Sequence, residues 1–136
     1  RLKEESMVDQ FQAAAESAGA VVRRFSSLAD AAAHVREVAG SIVAASELPE
    51  DIRQALSPLT FAAPAEYRDV RNCISFARAG IADTGSLLLE LSNHLERSAT
   101  ALPPVHLVLL RAAAIAHEMF RDGRGSPRRP PTRKPP

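Results

Sequence analysis

A short polar run, Asp83-Thr84-Gly85-Ser86, contains the residue types needed to bind a small anion and to move a proton. Glycine permits a tight turn, hydroxyls and backbone N–H groups can hold a carboxylate or phosphate, and the Asp83 carboxylate can serve as acid, base or orienting group. The plainer interpretation is a structural turn in which side-chain oxygens satisfy exposed backbone N–H groups. The run is not a glycine-rich phosphate loop, because no G-x-G-x-x-G or G-K-S pattern is present. These residues alone leave both interpretations open.

Two side chains elsewhere could complete a site with Asp83. His106 lies in an apolar run, where an isolated histidine is either a hydrogen-bonded core residue or a general base or substrate donor. Arg97 lies in a polar connection, where it is either a solvated loop residue or a rim residue that pairs with a substrate carboxylate. The candidate catalytic residues are therefore Asp83 and His106. The candidate substrate-binding residues are Thr84, Gly85, Ser86 and Arg97.

Composition narrows the class of protein. A chain of 136 residues with 46% apolar residues has enough material for one core, so one domain is expected. A net charge of +1 provides no general field that would attract nucleic acid or an anionic membrane, so neither partner is expected. Cys73 is the single cysteine, which excludes an internal disulfide and a cysteine-based zinc or iron–sulfur site. We expect a cytoplasmic protein with no metal and no cofactor of its own.

Hydrophobic periodicity and turn signals predict alternating helices and strands. The predicted helices are Lys3–Ala18, a helix after Ser27 that Gly40 ends, Pro49–Leu56, and a final helix from about Arg111 to Phe120. The predicted strands are Ala20–Phe25, Ser41–Ala45, Leu59–Ala63, Cys73–Phe76, Ser86–Leu91 and Val105–Leu110. Because near-continuous apolar runs suit strands covered on both faces, we expect the last two strands to be central.

Such alternation predicts an α/β fold, with three layers (α/β/α) and a mostly parallel sheet, since parallel neighbours need crossover connections. The composition changes after Phe120, where residues 121–136 are rich in proline and arginine. A segment of this kind cannot bury an apolar face, so we expect an α/β domain over 1–120 and a disordered tail over 121–136.

Two motifs in the stretch from Cys73 to Phe120 resemble a known family. The run Ala79-Gly80-Ile81-Ala82-Asp83-Thr84-Gly85-Ser86 is similar to an alanine-acid-Thr-Gly-Thr turn that leads into a strand, and Leu102-Pro103-Pro104-Val105-His106 is similar to a Leu-Pro-x-His strand start. Both are typical of the LUD domain of LutC-like lactate-utilisation proteins. Asp83 replaces the family's usual glutamate and Ser86 its usual threonine. The family's later Gly-Pro-Ser segment, and its further strand near a His-Gly-Pro turn, have no counterpart in 121–136, so the resemblance is to a C-terminally incomplete domain.

The resemblance implies a fold like that of the sugar isomerases and CoA transferases. It also implies a role in L-lactate utilisation, as the cluster-free component beside iron–sulfur partner proteins that oxidise lactate to pyruvate. Two alternatives stay open: a small-molecule enzyme of acyl- or CoA-transferase-like type that uses Asp83 or Glu90, and a structural or interaction module without activity. A sheet without its last strand would expose apolar surface, so we also expect self-association.

Overall fold

The computed structural model of the chain describes residues 2–91 and 93–118, and these divide into two units. We call them the hairpin unit and the sheet unit. The hairpin unit comprises the described residues of Arg1–Val22, Arg78–Leu88 and Arg111–Pro136, and the sheet unit comprises those of Arg23–Ala77 and Leu89–Leu110. The expected tail over 121–136 lies outside the described residues.

The sheet unit contains four strands and four helical segments in alternation. In chain order these are α2 (Leu28–Ala39), β1 (Ile42–Ala45), α3 (Glu50–Ala55), β2 (Thr60–Phe61), the 3-10 helix η1 (Pro64–Asp69), β3 (Asn72–Phe76), α4 (His94–Ala101) and β6 (Val105–Leu109). The remaining helices and strands belong to the hairpin unit.

All four strands of the sheet unit run parallel, in the order β2-β1-β3-β6. The register places Cys73 of β3 opposite Ala44 of β1 on one side and opposite His106 of β6 on the other. Strand β3 therefore lies inside the sheet, and its first four residues are buried. The predicted α/β class with a mostly parallel sheet is confirmed.

Each face of this sheet is covered by helical segments. On one face Val43 and Ile74 pack with α2 and α3 residues such as Val35 and Ile52. On the other face Ala44 and Cys73 form a second cluster with residues of η1, α4 and the segment that precedes β3: Tyr67, Val70 and Ala99. Two apolar clusters on opposite faces of one sheet make the three layers that were predicted.

Local signals determine where α2 begins and ends. The Ser27 side chain accepts a hydrogen bond from the Asp30 N–H at 3.1 Å, which satisfies one of the donors left free at a helix start. Gly40 follows the last helical residue with φ +80°, a conformation that glycine adopts most easily. The buried Asn72 amide donates to the Ala39 carbonyl at 3.1 Å and ties the end of α2 to the start of β3. The prediction for this helix is confirmed at both ends.

The hairpin unit contains one long helix and a small three-stranded sheet. Its elements are α1 (Leu2–Ser17), β4 (Ala79–Ile81), β5 (Ser86–Leu88), the 3-10 helix η2 (Ala112–Ala114) and β7 (Ile115–Ala116). The strand order is β5-β4-β7, with β4 antiparallel to β5 and parallel to β7. Residues Phe11 and Ala15 of α1 are buried, and their spacing of four places them on one face of the helix.

Three predictions about strands were wrong. Ala20–Phe25 forms no strand in the structure, and Val21 is 78% exposed, because a β-branched run needs a sheet neighbour that this segment lacks. Ser86–Leu91 is not central, since only Ser86–Leu88 is a strand and it lies at one edge of the small sheet. Val105–Leu110 is a strand at one end of the parallel sheet, and the central position belongs to β3.

The predictions for two other segments were also wrong. Residues 111–118 form η2 and β7 rather than the start of a helix, because Ile115 and Ala116 pair with Gly80 and Ile81 of β4. This pairing overrides the helix propensity of the alanine-rich run. The polar connection around Arg97 is helix α4, and Ala99 on that helix is fully buried. No helix within the described residues is long and apolar enough to cross a membrane.

Candidate functional site

The run Asp83-Thr84-Gly85-Ser86 forms the tight turn of the β4–β5 hairpin. The Gly85 N–H donates to the Ile81 carbonyl at 2.7 Å, and Gly85 has φ +72°. The Asp83 N–H donates to the His117 carbonyl at 3.1 Å, which holds the turn beside β7. Backbone groups of the same unit therefore position this turn.

Three side chains on the turn remain open to solvent. Asp83, Thr84 and Ser86 are all exposed. The Thr84 and Ser86 hydroxyls lie 2.7 Å apart and share a hydrogen bond. The turn thus presents one carboxylate and two hydroxyl groups on an accessible surface, which suits an ordered polar surface and also suits a ligand with several oxygen atoms.

Gly85 has a packing role that explains its presence. A Cβ atom added at this position would lie 2.4 Å from the Ala15 nitrogen and 2.6 Å from the Ala14 carbonyl carbon. Neither backbone atom can move aside as a flexible side chain could. The absence of a side chain at Gly85 therefore lets the turn pack directly on α1, and its role is structural whether or not a ligand binds.

His106 contacts a buried serine on the neighbouring strand. Its Nε2 atom lies 2.8 Å from the Ser75 hydroxyl, and Ser75 is fully buried. The His106 side chain is itself exposed, because β6 lies at one end of the sheet. Partial desolvation lowers the pKa of His106 from its ordinary value of 6.5, so the imidazole is neutral at neutral pH.

The His106–Ser75 contact belongs to a polar row on the sheet face that α4 covers. Cys73 and Ser75 are two residues apart on β3 and so share one face, and Cys73 is the register partner of His106. The Cys73 sulfur lies 3.9 Å from the Ser75 hydroxyl. Burial raises the pKa of the Cys73 thiol, against smaller opposing effects of hydrogen bonds from Ser75 and from the Ser46 backbone. We call Cys73, Ser75 and His106 the polar row.

Arg97 is an exposed residue of α4, and its N–H donates to the Asn93 carbonyl at 3.2 Å. Asp83, Thr84, Gly85 and Ser86 come together in one turn of the hairpin unit, whereas Arg97 and His106 belong to the sheet unit. The pairing of Asp83 with His106 stays a prediction.

The sequence analysis did not identify Ser75 as a candidate residue. Ser75 is two residues from Cys73 on a buried strand, and this spacing places both polar side chains on one face of the sheet.

The folded protein should protect Cys73 from thiol reagents. Its side chain has no exposed surface, and a raised pKa keeps it in the unreactive thiol form. We expect negligible reaction with an aromatic disulfide reagent under native conditions and one thiol per chain in urea. A rapid reaction of the native protein, at a rate similar to that of the unfolded chain, would contradict the buried position.

The lowered pKa of His106 predicts a loss of stability in mild acid. The unfolded chain takes up its proton near pH 6.5, whereas the folded chain does so only at lower pH, so the free energy of unfolding falls as the pH drops below about 6.5. Urea titrations of the wild type and of His106→Gln should therefore diverge below that pH, with the variant losing less stability. Parallel curves would show that His106 titrates alike in both states. The other histidines are present in both proteins, so their contributions to the pH dependence cancel in the difference between the two curves.

Within residues 2–91 and 93–118, no three His, Cys, Asp or Glu side chains converge as a metal site would require. Both groups of candidate residues are accessible from solvent, apart from Gly85, which is half-buried. The polar row differs from the hairpin turn in that a fully buried hydroxyl orients its exposed member. The fold therefore fixes the hydrogen-bond partner of His106, whereas it leaves the side chains of the hairpin turn in contact with solvent.

Comparison with known proteins relates the central and C-terminal part of the chain to one family. Residues 65–121 match the family model described as LUD domain. That stretch includes β3, the hairpin turn, α4 and β6, and therefore all six candidate residues. No curated protein matches the chain.

A solved structure has a similar fold. The crystal structure of a DUF162 family protein from Deinococcus radiodurans matches with a TM-score of 0.64 at 16% sequence identity. The match covers 84% of this chain and 74% of that protein. At this identity the likeness concerns the fold, and it extends well beyond the segment that the family model matches.

Proposed function

We propose, from the match of residues 65–121 to the LUD domain model, that this chain is a LutC-like component of an L-lactate utilisation system. In this proposal the system oxidises lactate to pyruvate, and iron–sulfur partner proteins carry the electrons. The observation that carries the proposal is the family match over residues 65–121, which includes both the Asp83 turn and the start of the His106 strand. The one cysteine of this sequence is buried within a sheet, so cluster chemistry is assigned to the partners.

Growth of the source organism tests this function. Deletion of the gene is expected to abolish growth on L-lactate as sole carbon source while leaving growth on pyruvate unchanged. The wild-type gene should restore growth on lactate. A deletion strain that grows on L-lactate at the wild-type rate would refute the proposal.

Copurification tests the proposed partners separately. The full-length protein, tagged in its own organism, should retain cysteine-rich proteins that contain iron and acid-labile sulfide. The control is the same tag on an unrelated protein of similar size. Recovery of the tagged chain without iron, from cells growing on L-lactate, would remove the iron–sulfur partners from the proposal.

A second candidate is a small-molecule enzyme of acyl- or CoA-transferase-like type. The exposed Asp83 carboxylate, beside the paired hydroxyls of Thr84 and Ser86, is the observation that favours it. Calorimetry with lactate, pyruvate and CoA should then show saturable binding that Asp83→Asn weakens. Ser26→Ala, which removes an exposed hydroxyl elsewhere on the chain, is the control. An absence of binding for all three compounds would favour an interaction module without activity.

Self-association forms part of the same proposal. Leu87 and Leu88 of β5 are 41% and 39% exposed, and among residues 2–91 and 93–118 no strand pairs with the outer edge of β5. A strand edge with apolar side chains favours pairing with another chain. Light scattering after size exclusion should give a mass of at least two chains. Leu87→Lys should lower that mass, whereas a wild type that is strictly monomeric at high concentration would contradict the expectation.

A further inference from the structure

The buried hydroxyl of Ser75 has two polar neighbours among the described residues, and this limits where its proton can go. His106 Nε2 lies 2.8 Å from the oxygen, and Cys73 Sγ lies 3.9 Å from it. The first distance is that of a strong hydrogen bond, and the second is at the limit for sulfur, which is a weak partner. Since Ser75 has no exposed surface, bulk solvent does not reach its hydroxyl.

The two possible hydrogen patterns differ greatly in cost. If His106 Nε2 carries the proton and donates it to Ser75, the partner left for the Ser75 proton among the described residues is the distant Cys73 sulfur, and the buried hydroxyl proton makes only a weak contact. If Ser75 instead donates to Nε2, its proton is fully used, and the weakly polar thiol keeps its hydrogen bond with the Ser46 backbone. The second pattern is favoured because unsatisfied buried hydroxyls are costly and thiols are not.

This pattern determines the state of the other ring nitrogen. A neutral imidazole carries one proton, so an Nε2 atom that accepts from Ser75 leaves the proton on Nδ1. The side chain is exposed, and its Nε2 edge faces Ser75. The burial that lowers the pKa of His106 keeps the ring neutral at neutral pH.

We infer that Ser75 is a positioning residue, which holds His106 as the neutral Nδ1–H tautomer and so makes Nδ1 a hydrogen-bond donor. A donor of this kind binds a carboxylate or carbonyl oxygen, such as those of a 2-oxo acid. In this tautomer Nδ1 cannot take a proton from a ligand, because the basic lone pair lies on Nε2, which faces Ser75. The tautomer follows from the hydrogen-bond geometry and the burial of this contact, whereas the ligand class rests on the proposed function.

Nitrogen-15 NMR of the full chain measures the tautomer directly. Two-bond proton–nitrogen correlations distinguish a protonated Nδ1 from a protonated Nε2, and His106→Gln identifies the signals among the four histidines. We expect a protonated Nδ1 and a bare Nε2 in the wild type. A protonated Nε2 in the wild type would overturn the inference, and this result needs no variant that could fail to fold.

Variants on β3 test the role of Ser75. Ser75→Ala should move His106 toward the Nε2–H form, and Ser75→Thr, which keeps the hydroxyl, should restore the Nδ1–H form. Cys73→Ala is the matched control, because it removes the other polar neighbour of Ser75 on the same strand and face. It should leave the tautomer unchanged. An unchanged tautomer in Ser75→Ala, or a switch in Cys73→Ala, would overturn the assignment to Ser75.

Titration with pyruvate tests the ligand class. Pyruvate should shift the His106 Nδ1–H resonance saturably, and Ser75→Ala should bind at least about tenfold more weakly, as expected when a hydrogen bond to a charged group is lost. An Nδ1–H tautomer without any shift by pyruvate would overturn the ligand assignment. The growth test does not depend on either result, so failure of the inference and failure of the proposed function can be told apart.

Discussion

Replacement of Gly85 by alanine is expected to destabilise the hairpin unit far more than a methyl group added at an open surface position. The new Cβ would lie 2.4 Å from the Ala15 nitrogen and 2.7 Å from its Cα, so the turn and α1 would have to separate. The positive φ of +72° adds about 1–2 kcal/mol for a residue with a side chain. Together with the overlap we expect a loss of about 3–5 kcal/mol in the free energy of unfolding.

Gly19→Ala is the matched control for this effect. Gly19 belongs to the same unit and also has positive φ, +103°, but an added Cβ would meet no atom within 4 Å. Gly19→Ala should therefore lower the free energy of unfolding only by the backbone cost of about 1–2 kcal/mol. Urea denaturation followed by far-ultraviolet circular dichroism measures both losses, and hydrogen exchange locates them in the hairpin and α1. Equal losses in the two variants would show that the turn does not pack directly on α1.

Truncation of Ile74 to alanine should produce the largest loss in the sheet unit. Ile74 lies inside the parallel sheet on β3, has no exposed surface, and packs against residues of α2 and α3. Removal of three carbon atoms from such a position leaves a cavity between rigid elements and costs about 2–5 kcal/mol. Tyr67 is the single tyrosine, is buried in this unit, and the chain has no tryptophan, so its fluorescence reports the unfolding of this unit.

Ile42→Ala is the control for Ile74→Ala, because it makes the same substitution at a partly exposed position. Ile42 lies on the adjacent strand β1 but is 37% exposed, so its truncation should cost about 1 kcal/mol or less. A loss for Ile74→Ala as small as that for Ile42→Ala would contradict the central position of β3. A change of the urea midpoint without a change of slope is expected for both variants.

The local signals of the sequence determined much of the sheet unit. Ser27 and Gly40 predicted the ends of α2, and the β-branched residues at the start of the run from Ile42 predicted β1. Both signals could be recognised because caps and strand propensities act within a few residues. The same reasoning identified Cys73–Phe76 and Val105–Leu110 as strands. It also placed Asp83 and Gly85 in one turn, since a tight turn is a property of consecutive residues.

Only the tertiary structure decided which strands are central, that Ile115 and Ala116 form a strand, and that Ser75 meets His106. Each of these depends on a partner far away in the chain: Ile115 pairs with Gly80, and the hydroxyl of Ser75 lies 2.8 Å from a ring 31 positions later. Helix propensity and apolar periodicity describe a segment by itself, so they cannot tell which neighbour its backbone or side chain will find. The sequence therefore determined the α/β class and the candidate residues, while long-range strand pairing determined that His106 is hydrogen-bonded to Ser75, a residue outside the candidate set.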